Sequence, residues 1–371
     1  MNVGIPKEIK NHEYRVGLIP DQVRDLAQSG HRVFVQKNAG EAIGYLDEHY
    51  TMAGAVIVPD ADDVYGESEL IVKVKEPQLS ECRMLAPHQT LFTYLHLAPD
   101  PLQTEALMSS KASCIAYETV TSPAGRLPLL APMSEVAGRM SIQAAAVHLE
   151  KSKGGRAMLM GGVPGVAAAN VVILGAGVVG TCALQMAVGM GARVTVLDKS
   201  IDRLRELDAL YANRITTLFA SAANIERSVI AADAVIGSVL VPGASAPKLV
   251  DRLLVSQMRS GSVVVDVAID QGGCFETSRP TTHENPTFVH EEVVHYCVAN
   301  MPGAVARTST MALTNATSPF VMQLANLGTI EALQNNRFLM DGLNVYQGEI
   351  TCEAVARAQG RSYTNPTLLL H

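Results

Sequence analysis

Apolar residues along this chain fall into short runs separated by longer amphipathic stretches, and that rhythm sets the fold class. In the first third, β-rich runs occupy 32–36, 55–58, 70–74, 90–94 and 113–117, with helical stretches such as 21–28 and 101–110 between them. Strands separated by helices imply parallel βαβ units. Near Pro128 the pattern changes, and 134–151 predicts a long helix with Ser134 as its N-cap and Glu135 in the first turn. A second alternating block runs from Asn170 to about Asn300, with strands at 171–174, 193–197, 234–238, 262–267 and 295–299. A polar turn (301–307), a helix (309–327) and a largely helical tail follow. The tail has no strand block of its own, so it is expected to return and pack on the first domain. The expected fold is α/β: two Rossmann-like, doubly wound parallel-sheet domains linked by long helices. The first domain is discontinuous, 1–128 plus 306–371, and the second spans 129–305.

One segment complicates the pattern. Residues 157–192 contain no charged side chain, and a hydropathy window flags them as a membrane span. Repeated glycines and Pro164 break the segment, and its pieces fit a short buried strand followed by a packed helix. No membrane is expected.

Composition narrows the remaining classes. A length of 371 residues suggests roughly two domains. Hydrophobic residues at 48% against 18% charged describe a chain that buries a core, which excludes disorder. With 29 Lys+Arg, 36 Asp+Glu, a net charge of −7 and no basic block, nucleic acid is excluded as a partner. The six cysteines are scattered, with no C-x-x-C and no zinc-type spacing, so they read as reduced, buried thiols of a cytoplasmic protein and no metal is indicated. The first residues carry no apolar h-region of the secretory kind.

The strongest local motif is 171–180, VVILGAGVVG. A lone G-x-G-x-x-G is weak, but here it follows an apolar strand, opens a helical stretch (181–190) and precedes a second strand ending in Asp198. In that context Gly175 permits the tight turn, Gly177 lets a pyrophosphate approach the backbone, and Gly180 allows close helix–sheet packing. The helix start, with Val178 and Val179, offers N–H groups to the anion. Asp198 is placed to accept hydrogen bonds from the adenosine ribose hydroxyls and to repel a 2′-phosphate, which favours NAD over NADP. Arg203, near the same edge, tempers that preference.

Three basic residues of the first block are candidates for a substrate. Arg15 lies in a polar, turn-like stretch, Lys75 follows the strand at 70–74, and His96 follows the strand at 90–94. In an open α/β sheet ligands gather at the carboxyl ends of strands, where Lys75 and His96 fall. A guanidinium fork suits a carboxylate, an ammonium polarises a carbonyl oxygen, and an imidazole shuttles protons. From spacing alone each also fits an ordinary structural or solvated role, and Lys73 and His88 are neighbours that spacing does not separate from them. Asp270, ahead of a Gly-Gly turn, reads equally as a proton-handling carboxylate or as a turn-forming residue. Asp266, within the strand, reads as structural.

Taken together, these residues resemble the alanine dehydrogenase family over essentially the whole chain. The matching stretches include GIPKE at 4–8, EYRV at 13–16, VKVKEP at 72–77, YLHLA at 94–98, MSEVAGR at 133–139, the run 161–180, 267–273 and VANMPGAV at 298–305. The resemblance implies an NAD-dependent enzyme that reversibly deaminates L-alanine to pyruvate and ammonium. It implies that Arg15 and Lys75 hold substrate, with Arg15 on the carboxylate, and that His96 is the acid/base residue with Asp270 its partner. Around NAD it places Ser134, Gly175, Gly177, Val178, Val179, Gly180, Asp198, Arg203, Val239, Leu240, Val267, Ala268, Ile269, Asp270, Arg279, Val298, Ala299, Asn300 and Met301. It further implies a homohexamer. Two positions depart from the pattern: Ala306 stands where relatives often have proline, and Ala220 where they often have serine. Two other readings share the fold. One is an NAD-binding subunit of a proton-translocating transhydrogenase. The other is a saccharopine-type dehydrogenase with a larger substrate.

Overall fold

The computed structural model describes residues 1–239 and 246–370. Contacts divide the chain into two compact units, Met1–Met133 with Val305–His371, and Ser134–Ala304. The chain passes between the units twice, along the helix Ala131–His148 and just before the helix Ala306–Leu327.

The first unit is built on an eight-stranded sheet. Its strands are β1 (Asn2–Ile5), β2 (Arg32–Gln36), β3 (Val56–Val58), β4 (Leu70–Val72), β5 (Thr90–Thr93) and β6 (Ser113–Ala116), all parallel. The second unit follows with β7 (Asn170–Leu174), β8 (Arg193–Asp198), β9 (Ile215–Phe219), β10 (Ala234–Gly237), β11 (Val263–Asp266), β12 (Thr287–His290) and β13 (Val293–Tyr296). The tail then adds β14 (Leu343–Tyr346) and β15 (Glu349–Ile350) to the first sheet.

Both sheets share one winding. The first runs β15-β14-β6-β5-β4-β1-β2-β3 and the second β12-β13-β11-β10-β7-β8-β9. Each parallel part therefore has the order 3-2-1-4-5-6 of a doubly wound sheet, with its switch points between β1 and β4 and between β7 and β10. The central strands are fully buried, as strands covered by helices on both faces must be, and this is why their sequences read as unbroken apolar runs. Crossover helices start on side-chain caps: Asp60, Asp100, Ser200, Ser221 and Asp251 each accept a backbone N–H three residues on. The charge-free segment resolves into β7 and a twelve-residue helix, Val178–Gly189. Among the described residues no helix is long and apolar enough to cross a membrane.

Several expectations need correction. The sheets are mixed, because β14 and β15 pair antiparallel to their neighbours and β12 pairs antiparallel to β13. The tail is not strandless: Gln347 and Gly348, both with positive φ (50° and 88°), close a two-residue hairpin between β14 and β15. Ser134 is not an N-cap, since the helix begins at Ala131 and places it inside the first turn. The last parallel strand sits earlier than 295–299, at Val293–Tyr296, and carries a buried polar residue, His295. All six cysteines are free thiols, five of them buried and Cys352 half-buried.

His295 gives the second unit an acid-sensitive point. Its Nε2 meets the Thr277 hydroxyl at 2.8 Å and its Nδ1 the Val293 carbonyl at 3.0 Å. Burial pushes its pKa below the ordinary histidine value, only partly offset by that carbonyl. The unfolded chain then takes up a proton that the folded chain refuses, so this contribution is whole above about pH 6.5 and is lost as the pH falls below it. Denaturant titrations should show a smaller loss of stability between about pH 7 and 5 for His295→Gln than for the wild type.

Candidate active site

The carboxyl edge of the first sheet gathers the basic residues that the sequence marks. Arg15 lies in the loop after β1, beside the switch point, and is 2% exposed. Glu13 grips it in a two-pronged pair, Oε1 to Nε at 2.7 Å and Oε2 to Nη2 at 2.6 Å, while Nη1 reaches the Met133 sulfur at 3.0 Å. Burial disfavours the charge, but the hydrogen bonds and attraction of Glu13 outweigh it and raise the guanidinium pKa above its ordinary value. The result is a cation of fixed orientation, as recognition of a planar carboxylate requires.

The two neighbouring lysines separate cleanly. The Lys73 side chain is wholly buried, its ammonium 2.7 Å from Glu81 and 3.1 Å from Glu8. Glu8 in turn accepts the N–H groups of Val74 (2.7 Å) and Lys75 (3.3 Å). Lys73 is thus an internal tie, and the Lys75 side chain, 14% exposed and 3.5 Å from Glu76, is the one at the surface of the edge. Burial opposes ionisation of Glu76, but Lys75 and Lys10, with a weaker pull from His96, bring its pKa down to about 2. His88 is exposed and precedes β5, at the opposite edge of the sheet.

His96 follows β5 in a left-handed conformation (φ 50°), which costs a non-glycine residue about 1–3 kcal/mol and directs the ring out of the strand line. Its side chain is 38% exposed, and its ring stacks on Tyr94 at 5.7 Å and 8°. The Tyr94 hydroxyl donates to the Leu129 carbonyl at 2.5 Å, and burial raises its pKa well above the usual range. One edge therefore brings together a guanidinium, an ammonium and an imidazole.

Glu13, Glu118 and Tyr94, which hold these groups, were not singled out from the sequence. Glu118 and Tyr94 follow β6 and β5, so the strand-end rule that marked Lys75 and His96 marks them too. Glu13 carried no comparable mark.

The second unit places the glycine-rich turn at the end of β7, at its own switch point. Gly175 has φ +100°, and a Cβ on Gly180 would collide with the Gly175 carbonyl oxygen. A Cβ on Gly177 would meet nothing within 4 Å, so the backbone there is open to a ligand. The following helix, at Val178 and Val179, starts on Gly177 without a side-chain cap. Asp198 accepts the Ala176 N–H through Oδ2 and the Ser200 N–H through Oδ1, both at 2.7 Å. Arg203 folds back on the same turn, donating to the Ala176 carbonyl (2.9 Å) and Thr181 hydroxyl (2.7 Å) and pairing with Glu206.

The other expected cofactor residues cluster at neighbouring strand ends. Val239 follows β10, and Leu240 lies outside the described residues. Val267, Ala268, Ile269 and the exposed Asp270 form a 3-10 turn after β11. Val298, Ala299, Asn300 and Met301 follow β13, the last opening another 3-10 turn. Asp266 is buried and accepts the N–H groups of Cys274 (2.9 Å) and Phe275 (3.3 Å), which pins the Gly-Gly turn. Arg279 stacks on Phe288, 4.4 Å from the ring centre, on the antiparallel edge. Ser134 is half-buried on the helix Ala131–His148. Among the described residues no group of three or more His, Cys, Asp or Glu could hold a metal.

Family models described as alanine dehydrogenase/PNT, N-terminal domain and C-terminal domain, match residues 4–137 and 141–353. The chain belongs to the alanine dehydrogenase/PNT family. Within it, an alanine dehydrogenase of Halomonas elongata is 56% identical over 370 residues, all of both chains. A solved structure of an L-alanine dehydrogenase, 51% identical, superposes with a TM-score of 0.94 over 97% of this chain and 99% of that one. A transhydrogenase structure from Sinorhizobium meliloti, 23% identical, has a TM-score of 0.81 over 95% of this chain and all of its own, which shows a common fold alone. The relationship favours an oxidoreductase of the CH–NH2 class over the transhydrogenase reading, and it implies a nicotinamide dinucleotide cofactor.

The open Gly177 backbone, the uncapped helix start and the crowded Gly180 fit such a cofactor. Gly180→Ala should destabilise the second unit by roughly 1–3 kcal/mol and weaken NADH binding, read by thermal unfolding and by fluorescence titration.

Proposed function

We propose that the protein is an NAD-dependent L-alanine dehydrogenase, converting L-alanine, NAD+ and water to pyruvate, ammonium, NADH and a proton, and the reverse. The observation that carries this reading is the grouping of Arg15, Lys75 and His96 at one sheet edge, each held by a named partner. These groups match a carboxylate, a carbonyl oxygen and a proton to be moved.

Arg15 holds the substrate carboxylate, and Lys75 draws electron density toward the carbonyl oxygen. His96 takes the proton from water as it adds to the imine, at Nε2, the nitrogen away from Glu118, and returns it to the departing amine. Asp270 is assigned as its partner in orienting that water. When bound, NAD supplies the hydride acceptor. Ser134, the glycine-rich turn, Asp198, Arg203, Val239, Leu240, the 3-10 turn Val267–Gln271, Arg279 and Val298, Ala299, Asn300 and Met301 are assigned to hold it. Units Met1–Met133 with Val305–His371 and Ser134–Ala304 are assigned as the substrate and NAD domains.

The preference for NAD over NADP rests on Asp198, an acceptor-only carboxylate at the ribose position. Arg203 is drawn back onto the glycine-rich turn by Ala176, Thr181 and Glu206. On the family resemblance the assembly is a cytoplasmic homohexamer. The test is reduction of NAD+ and of NADP+ by L-alanine, followed with serine and 2-aminobutyrate alongside. Rapid NAD+ reduction by L-alanine with little or none of NADP+ is expected. Equal use of the two cofactors would contradict the role of Asp198, and no reduction of either would contradict the function.

A further inference from the structure

We propose that Glu118 is the positioning residue of the proton-transfer site, holding His96 through the backbone of its turn and through one edge of its ring. The proposal rests on the reading of His96 as the acid/base residue.

His96 is left-handed at φ 50°, between two buried leucines, Leu95 and Leu97. A histidine stays in that conformation only where its surroundings hold it. The tie comes from one side chain. Glu118 Oε1 accepts the His96 N–H at 2.6 Å, and both of its oxygens accept the Leu95 N–H at 3.2 Å. Hydrogen bonds to a carboxylate are shorter and stronger than those between neutral groups, and three converge here. The same Oε1 lies 3.9 Å from His96 Nδ1. Tyr94 covers the ring face, so the plane is set by Tyr94 and the turn and edge by Glu118. Glu118 thus faces the Nδ1 edge of the ring and leaves Nε2 on the far side, turned away from the carboxylate.

Glu118 has no competing structural task of the usual kind. It sits in the 3-10 turn Tyr117–Thr119, directly after β6 and beside β5. Its side chain is 15% exposed, and among the described residues it pairs with no lysine or arginine. Its acceptors serve the His96 turn.

The experiment compares Glu118→Ala, Glu118→Gln, His96→Ala and the double variant Glu118→Ala/His96→Ala. Turnover, KM for pyruvate, NADH affinity and thermal midpoint are read on each. Glu118→Ala should lose about 10²-fold in kcat, the scale of a misplaced catalytic group, with KM and NADH affinity nearly unchanged. Glu118→Gln keeps an oxygen acceptor for the turn and should recover most of that loss. The double variant should fall no further than His96→Ala, because both changes remove one function. Wild-type turnover in Glu118→Ala, a Gln variant as impaired as the Ala variant, or a full additional drop in the double variant would each overturn the proposal. Retained turnover in His96→Ala would instead remove the acid/base reading beneath it, and the proposal with it.

Discussion

His96→Ala is expected to cut kcat by roughly 10²–10⁴, the range of a lost general acid–base group, while leaving NADH binding and thermal stability close to wild type. The expectation of unchanged stability follows from exposure. The ring is 38% exposed and contributes one stacking contact, with Tyr94, so little packing is lost. Retained cofactor affinity follows because the residues assigned to NAD all belong to the second unit, Ser134–Ala304, whereas His96 belongs to the first. Backbone conformation offers a control. At φ 50° alanine is less at ease than histidine or asparagine, so His96→Asn should preserve the turn and lose activity to the same extent. Turnover within tenfold of wild type in both variants would take His96 out of the chemistry.

Lys73→Met should destabilise the protein by about 3–5 kcal/mol, the usual result of removing one partner from a buried ion-paired group. Burial lowers the Lys73 pKa, but Glu8 and Glu81 more than compensate and raise it above the ordinary lysine value. Without the ammonium, two carboxylates remain in the interior, and one of them, Glu8, already has its pKa raised by burial. The backbone of the Lys75 segment loosens as well, because Glu8 accepts its N–H groups. Adding Glu8→Gln and Glu81→Gln to Lys73→Met should restore much of the loss by removing the stranded charge. Lys75→Met should behave in the opposite way, with stability kept and KM for pyruvate raised. Chemical denaturation and steady-state kinetics on the two single variants decide the matter. A stable Lys73→Met with a raised KM would exchange the roles of the two lysines.

That pair also shows where sequence reading stops. Lys73 and Lys75 lie two residues apart in one extended stretch, so periodicity gives them the same face. They differ only through Glu8 and Glu81, which come from a different strand end and a separate helix. The core strands and the glycine-rich turn were legible because their signals are local: unbroken apolar runs and a strand–turn–helix motif. The strands β1, β9, β12, β14 and β15 were not. β9 is partly exposed and half polar, and β14 finds its partner, β6, far earlier in the chain, where no local pattern points. The residues that hold the site failed to show for the same reason. The strand-end rule reaches Glu118, but its role shows only once β5 and β6 are side by side and its oxygens are seen on the Leu95 and His96 amides.

The most direct test of the central claim is the loss of NADH absorbance with purified protein, pyruvate and ammonium, each withheld in turn. NADH should be consumed only when pyruvate and ammonium are both present, and L-alanine should accumulate in equal amount. NADH bound tightly but not oxidised by the complete mixture, or oxidised by pyruvate without ammonium, would contradict it.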